Sequence, residues 1–167
     1  MYNKIYIMGP VGSGKTTFAK ALTKKYNIKN YCLDKVAWDD DNGGIKRTET
    51  EAQKLLDDII NTKQWIIEDT GRDVFIKGRE KADIIYYIKM SRLKAYYRIT
   101  KRMIRQKLGK EEGHFKQLKL SHWPYYISKV NTYYHNQKKK LKELEKYKDK
   151  VIFITSKKMK KMSNWGD

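Results

Sequence analysis

Short apolar runs rich in Ile and Val recur along the chain, at residues 5–8, 28–33, 65–67, 84–88 and 151–154. Each has the length of a buried strand. Between them the apolar period lengthens to that of a helix. Residues 16–25 follow the first run. Ala52, Leu55, Leu56, Ile59 and Ile60 fall at i, i+3, i+4, i+7 and i+8 after the second, and Leu93, Tyr97, Thr100 and Ile104 follow the fourth. A last stripe, with Tyr126, Val130, Tyr134, Leu141 and Leu144 among its members, runs through residues 124–147, where Pro124 suits a first helical turn. Strands alternating with helices predict an α/β fold whose parallel sheet is covered on both faces.

One stretch carries chemistry. Gly9-Pro10-Val11-Gly12-Ser13-Gly14-Lys15-Thr16 reads G-x-x-x-x-G-K-T, directly after a predicted strand and directly before a predicted helix. Glycines let the backbone curl so that successive N–H groups point at phosphate oxygens, and the helix adds the positive end of its dipole. Gly9, Gly12, Ser13, Gly14, Lys15, Thr16 and Thr17 are the expected nucleotide-binding residues, with Lys15 on the β- and γ-phosphates and Thr16 on Mg²⁺. No N-K-x-D base-reading motif occurs, which argues against a GTPase, and a chain this short favours a compact kinase over an ATP-driven machine.

Ligands of parallel sheets gather at the carboxyl ends of the strands. Asp34 ends the second run and is the candidate to take a proton from an attacking hydroxyl. Glu68 and Asp69 end the third, where an acid supports Mg²⁺; alternation along a strand points the two opposite ways and leaves the choice open. Arg72 and Arg79 are close enough in sequence to supply cations to an acceptor. On a wheel with Leu93 at the origin, Tyr97, Thr100 and Ile104 lie within about 40°, whereas Arg98, Arg102 and Arg105 lie at roughly 120° to 180°. Apolar and arginine stripes therefore face opposite ways, and the arginines read as a lid over triphosphate or a track for a nucleic-acid backbone.

The 167 residues suit a single domain, 1–167, with a basic lid and helical region at about 91–148. The net charge is +19: residues 1–90 hold 16 basic and 13 acidic side chains, residues 91–167 hold 22 and 6. The basic half favours polyanionic partners. A single cysteine, Cys32, excludes a disulfide framework and reads as a buried strand residue in a reducing, cytoplasmic setting. No apolar run reaches the length of a membrane span, and no membrane partner is expected. His114, His122 and His135 lack metal-ligand spacing, Asp39-Asp40-Asp41-Asn42 lacks that of a calcium loop, and the lysines at 138–140 read as a solvated helix face. Four Tyr-Tyr pairs, at 86–87, 96–97, 125–126 and 133–134, fall in strand or helix patterns that should place at least one ring of each in the core.

Together the phosphate loop, Leu33-Asp34-Lys35 followed by Trp38, Trp65-Ile66-Ile67-Glu68, Arg79 before Ala82-Asp83-Ile84-Ile85, and the run from Arg98 to Arg105 resemble the DNA topology modulation proteins of FlaR type. That family is similar to adenylate kinases and other small P-loop kinases. Glu68 stands where the family carries Asp, and Ile88-Lys89-Met90-Ser91-Arg92 replaces its L-D-x-P-R. The resemblance implies a three-layer P-loop nucleoside triphosphate hydrolase fold with strand order 2-3-1-4-5, ATP with Mg²⁺, and a helical lid carrying arginines. The expected activity is transfer of the ATP γ-phosphoryl group to a small acceptor, a nucleoside or nucleotide, with Lys15, Asp34, Arg98 and Arg102 as catalytic residues. A nucleic-acid-associated regulator, using the basic half as its footprint, and a P-loop protein without transfer are the alternatives.

Overall fold

A computed structural model describes residues 2–39, 44–109 and 123–163. Asp40, Asp41, Asn42, His114, His122 and part of the 91–148 region lie outside them. In chain order the elements are β1 (Lys4–Met8), α1 (Lys15–Tyr26), β2 (Asn30–Cys32), α2 (Leu33–Ala37), β3 (Trp38–Asp39), β4 (Ile45–Lys46), α3 (Glu49–Ile60), β5 (Trp65–Asp69), α4 (Ile76–Lys81), β6 (Ile84–Lys89), α5 (Arg92–Lys107), α6 (Trp123–His135), α7 (Gln137–Leu144), β7 (Val151–Thr155) and α8 (Ser156–Ser163). Five parallel strands form the sheet in the order β2-β5-β1-β6-β7, which is 2-3-1-4-5 counted along the parallel strands, and β3 and β4 form a small antiparallel hairpin.

The pleat sorts alternate side chains into two cores. Tyr6, Met8, Trp65, Ile67, Ile85 and Tyr87 pack with Leu33, Leu56, Phe75 and Leu144 on one face; Ile5, Ile7, Ile66, Ile84, Tyr86 and Ile88 pack with Phe18, Leu22 and Met159 on the other. The nucleotide-loop helix α1 and the terminal helix α8 thus lie on one side, with α3, α4 and α7 on the other. A third cluster, Met90, Ala95, Ile99, Met103 and Val130, joins α5 to α6. Helix α3 begins with a capping box in which Thr48 and Glu51 bond each other's backbone N–H. Among the described residues no helix is long and apolar enough to cross a membrane.

Four expectations change. The second strand is shorter than 28–33: it stops at Cys32, and Leu33 opens a helical turn that carries Asp34 in its first, dipole-favoured positions. Cys32 is the last residue of that strand but half-buried rather than buried, and burial pushes its thiol up to about 12. The stripe over 124–147 is two helices, broken at Asn136, whose side-chain amide and backbone N–H both donate to the Thr132 carbonyl. On α5 the apolar stripe does not pack inward. Leu93 is 79% exposed, Tyr97 63% and Ile104 51%, while Ala95, Ile99 and Met103 are buried, Arg98 and Arg102 are half-buried and Arg105 is exposed. Of the tyrosine pairs, Tyr86, Tyr87 and Tyr133 are buried; Tyr96, Tyr126 and Tyr134 pack partly buried against the α5–α6 cluster.

Candidate active site

The loop between β1 and α1 turns through Gly12 and Gly14, with φ of +75° and +93°, a region that favours glycine. A side chain at Gly9 would meet the Ile88 Cβ at 3.0 Å, so β6 presses against the loop from behind. Lys15 folds its ammonium onto the carbonyls of Gly9 and Pro10, 2.9 Å from each, and its pKa is lowered by burial, an effect opposed by Glu68, Asp34 and Asp69. The Ser13 hydroxyl is buried without a protein partner. Thr17 is exposed in the first turn of α1.

Glu68 and Asp69 part company across β5. Glu68, 2% exposed, accepts from the Thr16 hydroxyl at 2.9 Å, and its other oxygen is buried without a hydrogen bond. Burial raises its pKa against the opposing pull of Lys15 and Thr16. Asp69, on the opposite face, accepts from the Tyr6 hydroxyl at 3.2 Å, from the Gly71 and Arg72 amides at 2.6 and 2.7 Å, and from the Arg72 guanidinium at 2.8 Å. Its lone pairs are spent on shaping the 69–73 turn, which removes it from the expected metal set. Thr16 and Glu68 fit a magnesium ion, which keeps several waters and takes only one or two protein oxygens. A buried carboxylate oxygen lacking a donor beside a P-loop hydroxyl is the chemistry that such an ion satisfies. Among the described residues no group of three or more His, Cys, Asp and Glu gathers as a rival metal site.

Arg72 bridges two carboxylates, Asp69 through one nitrogen and Asp34 through another. Asp34, more than half exposed, therefore stands at the mouth of the site with its charge held toward Arg72. Arg98 crosses from α5 to the loop, donating to the Ser13 carbonyl at 3.1 Å and the Gly12 carbonyl at 3.4 Å. Arg102, half-buried on the same helix, lies within electrostatic reach of Tyr126 on α6. The loop, α1, Asp34, Glu68, Arg72 and Arg98 thus converge on the carboxyl end of the sheet.

No family model matches the chain. The shikimate kinases of Legionella pneumophila strains Corby and Paris are each 27% identical to it over 139 residues, spanning 73% of this chain and 78% of theirs. Among solved structures, the shikimate kinase from Acinetobacter baumannii in complex with shikimate aligns with a TM-score of 0.56 at 15% identity, covering 92% of this chain and 82% of that one. The shikimate kinase from Bacteroides thetaiotaomicron aligns with a TM-score of 0.51 at 14% identity, covering 79% and 80%. The fold is that of the P-loop kinases.

Arg79, expected at the acceptor, is buried to 2% exposure below the turn. Its guanidinium donates to the Arg72 carbonyl at 3.0 Å and lies 3.9 Å from Glu143. It holds the backbone of Arg72 rather than a ligand. Lys140, expected on a solvated face, donates to the Gly71 carbonyl, and burial lowers its pKa; Lys139 pairs with Asp73 at 3.0 Å. Helix α7 therefore braces the turn that carries Arg72. Nothing in the sequence marks this, since the partners are 69 positions apart.

Arg98 now rests on carbonyl oxygens that a triphosphate would replace with charged ones. Arg98→Ala is expected to weaken ATP roughly tenfold in calorimetry, the scale of one charge-assisted contact, with melting temperature little changed. An unaltered ATP affinity would assign Arg98 to loop structure alone.

Proposed function

We propose that this chain, a P-loop kinase that takes its phosphoryl group from ATP, passes it to a hydroxyl of a small polar acid seated between Asp34, Arg72 and the phosphate loop. The observation that carries the reading is the Thr16–Glu68 hydrogen bond at the mouth of the G-x-x-x-x-G-K-T loop, with a second Glu68 oxygen left for a hydrated cation. Thr16 and Glu68 would hold a hydrated Mg²⁺, which would supply positive charge to offset what develops on the phosphoryl oxygens in transfer. Lys15 exchanges the Gly9 and Pro10 carbonyls for phosphate oxygens, and Arg98 does the same from above. Asp34 takes the acceptor's proton as its oxygen attacks phosphorus and ADP departs. Arg72 pairs with Asp34 and offers a guanidinium edge to an anionic acceptor.

An acid is favoured over a nucleoside by Arg72 and by the name shikimate kinase that the Legionella relatives carry. The narrower FlaR-type reading, with nucleic acid on the basic half, rests on motifs and charge alone. A reducing cytoplasmic setting belongs to the same reading, through the single Cys32.

The test is incubation with labelled ATP and a panel of shikimate, sugar acids, nucleosides, nucleotides and short oligonucleotides, reading which gains phosphate. Label is expected in one of the small acids, with turnover indifferent to polymer. Label in a nucleoside or nucleotide would overturn the acceptor class, and slow ATP hydrolysis with no labelled acceptor would overturn transfer.

A further inference from the structure

Helix α5 has two working faces. Its inner side carries Ala95, Ile99 and Met103 against α6 and the phosphate loop. Its outer side carries Leu93, Tyr97, Ile104 and Leu108, between 51% and 79% exposed, and the 100° helical step places these four within an arc of about 60°. Exposed aliphatics scattered singly need no explanation, but a seam along the full length of a helix does. Trp123, 41% exposed at the start of α6, adjoins it: its indole N–H donates to the hydroxyl of Thr100, which lies about 20° outside that arc on the Leu93 side. A tryptophan with its N–H satisfied and its ring in the open is the residue type enriched where one end of a side chain is apolar and the other wet.

The charge around the seam narrows the occupant. Residues 92–107 hold seven Arg and Lys and no acid. Lys107 borders one edge; Lys94 and Lys101 border the other, with the Lys101 ammonium 5.8 Å from the centre of the Tyr97 ring. A second copy of this chain is disfavoured, because face-to-face seams would oppose two acid-free cationic helices. A polyanion neutralises them. Nucleic acid gains from aromatic planes on which bases stack, and here Leu93, Ile104 and Leu108 outnumber the two exposed aromatic rings, Tyr97 and Trp123. An anionic lipid surface gains from both parts, aliphatic side chains reaching the acyl boundary and lysines staying among headgroups.

We propose that the outer face of α5 docks on anionic membrane surface, with Leu93, Tyr97, Ile104 and Leu108 as the inserted ridge and Lys94, Lys101 and Lys107 as its headgroup contacts. Docking of this kind needs no spanning segment, so it is compatible with helices too short and polar to cross. It is independent of the acceptor's identity, because the ridge points away from the phosphate loop.

Co-sedimentation with vesicles tests it. The full chain is expected to pellet with phosphatidylcholine vesicles containing about 30 mol% phosphatidylserine and to stay in the supernatant with phosphatidylcholine alone. Leu93→Ser with Ile104→Ser is expected to lower partitioning roughly tenfold while ATP affinity is unchanged, and Lys94→Glu with Lys101→Glu to lower it at least as much. The lysine pair carries the test should the serine pair lose ATP binding through misfolding. Failure to pellet with anionic vesicles overturns the proposal. So does undiminished partitioning of a folded serine pair, which would reduce the contact to charge alone. A third overturning result is loss of binding to a labelled single-stranded oligonucleotide with no effect on vesicles, which would give the face to nucleic acid.

Discussion

Lys15→Ala is expected to abolish measurable ATP binding in calorimetry and to lower kcat/KM for ATP by ~10³-fold or more. Lys15 is the cation that the loop holds closest to the phosphate position. In its present rotamer it spends its donors on the carbonyls of Gly9 and Pro10. Burial already lowers its pKa, so pairing with phosphate restores a charge that the site otherwise penalises. Removing the ammonium leaves carbonyl oxygens near the β/γ position, which repel the ligand as well as failing to attract it. Folding should lose about 1–2 kcal/mol as well, since Gly9 and Pro10 are buried and their carbonyls are left without that donor. An alanine variant that binds ATP as the parent does would remove the basis of the kinase reading.

The second large effect separates the two acids of β5. Asp69→Asn is expected to cost about 3 kcal/mol, a fall in melting temperature of roughly 10 °C, because an amide nitrogen would face donors that now converge on a buried carboxylate. Glu68→Gln is expected to do the reverse. Turnover should drop ~10²-fold or more through the loss of the magnesium-side carboxylate, while the fold holds or gains. The gain depends on pH. Burial raises the Glu68 pKa, so the folded chain holds that proton more tightly than the unfolded chain does. This contribution favours folding in full below the ordinary carboxyl value of 4.5 and is lost as pH rises through the higher folded value. Above that window the Gln variant should therefore melt higher than the parent, and below it the two should converge. Thermal melts of both variants across pH, beside their Mg²⁺-dependent turnover, decide the matter; equal destabilisation by the two substitutions would contradict the division of labour.

The strands and the phosphate loop were legible because they rest on local signals, five short apolar runs and one spaced motif flanked by the right elements, whereas the strand order came only from the resemblance to the FlaR-type proteins. The choice between Glu68 and Asp69 was not, because it depends on which face of the pleat looks at α1. That is set by pairing with β1, Ile7 opposite Glu68 and Met8 opposite Asp69. Helix α5 misled for a different reason. A helical wheel finds two faces but cannot say which is inside, and here Arg98 reaches the loop carbonyls while the aliphatic side stays out. Arg79 and Lys140 were illegible altogether. Each stabilises a turn by donating to its carbonyl oxygens, and a carbonyl leaves no trace in a sequence.

The lysines near the C-terminus acquire a purpose from the strand they surround. β7 lies at one margin of the sheet, its segment Val-Ile-Phe-Ile-Thr is free of charge and proline, and Ile152 and Phe153 are exposed. Such a stretch is a template on which another chain can add a strand and begin a cross-β stack. Lys150 at its start donates to the Glu80 and Ala82 carbonyls, Lys89 lies 4.4 Å from the centre of the Phe153 ring, and Lys157 and Lys158 follow its end. Placed there, the cations act as gatekeepers, making an incoming strand meet like charge before it meets the ladder. Part of the chain's basic excess thus sits beside the open margin of the sheet rather than at the phosphate loop.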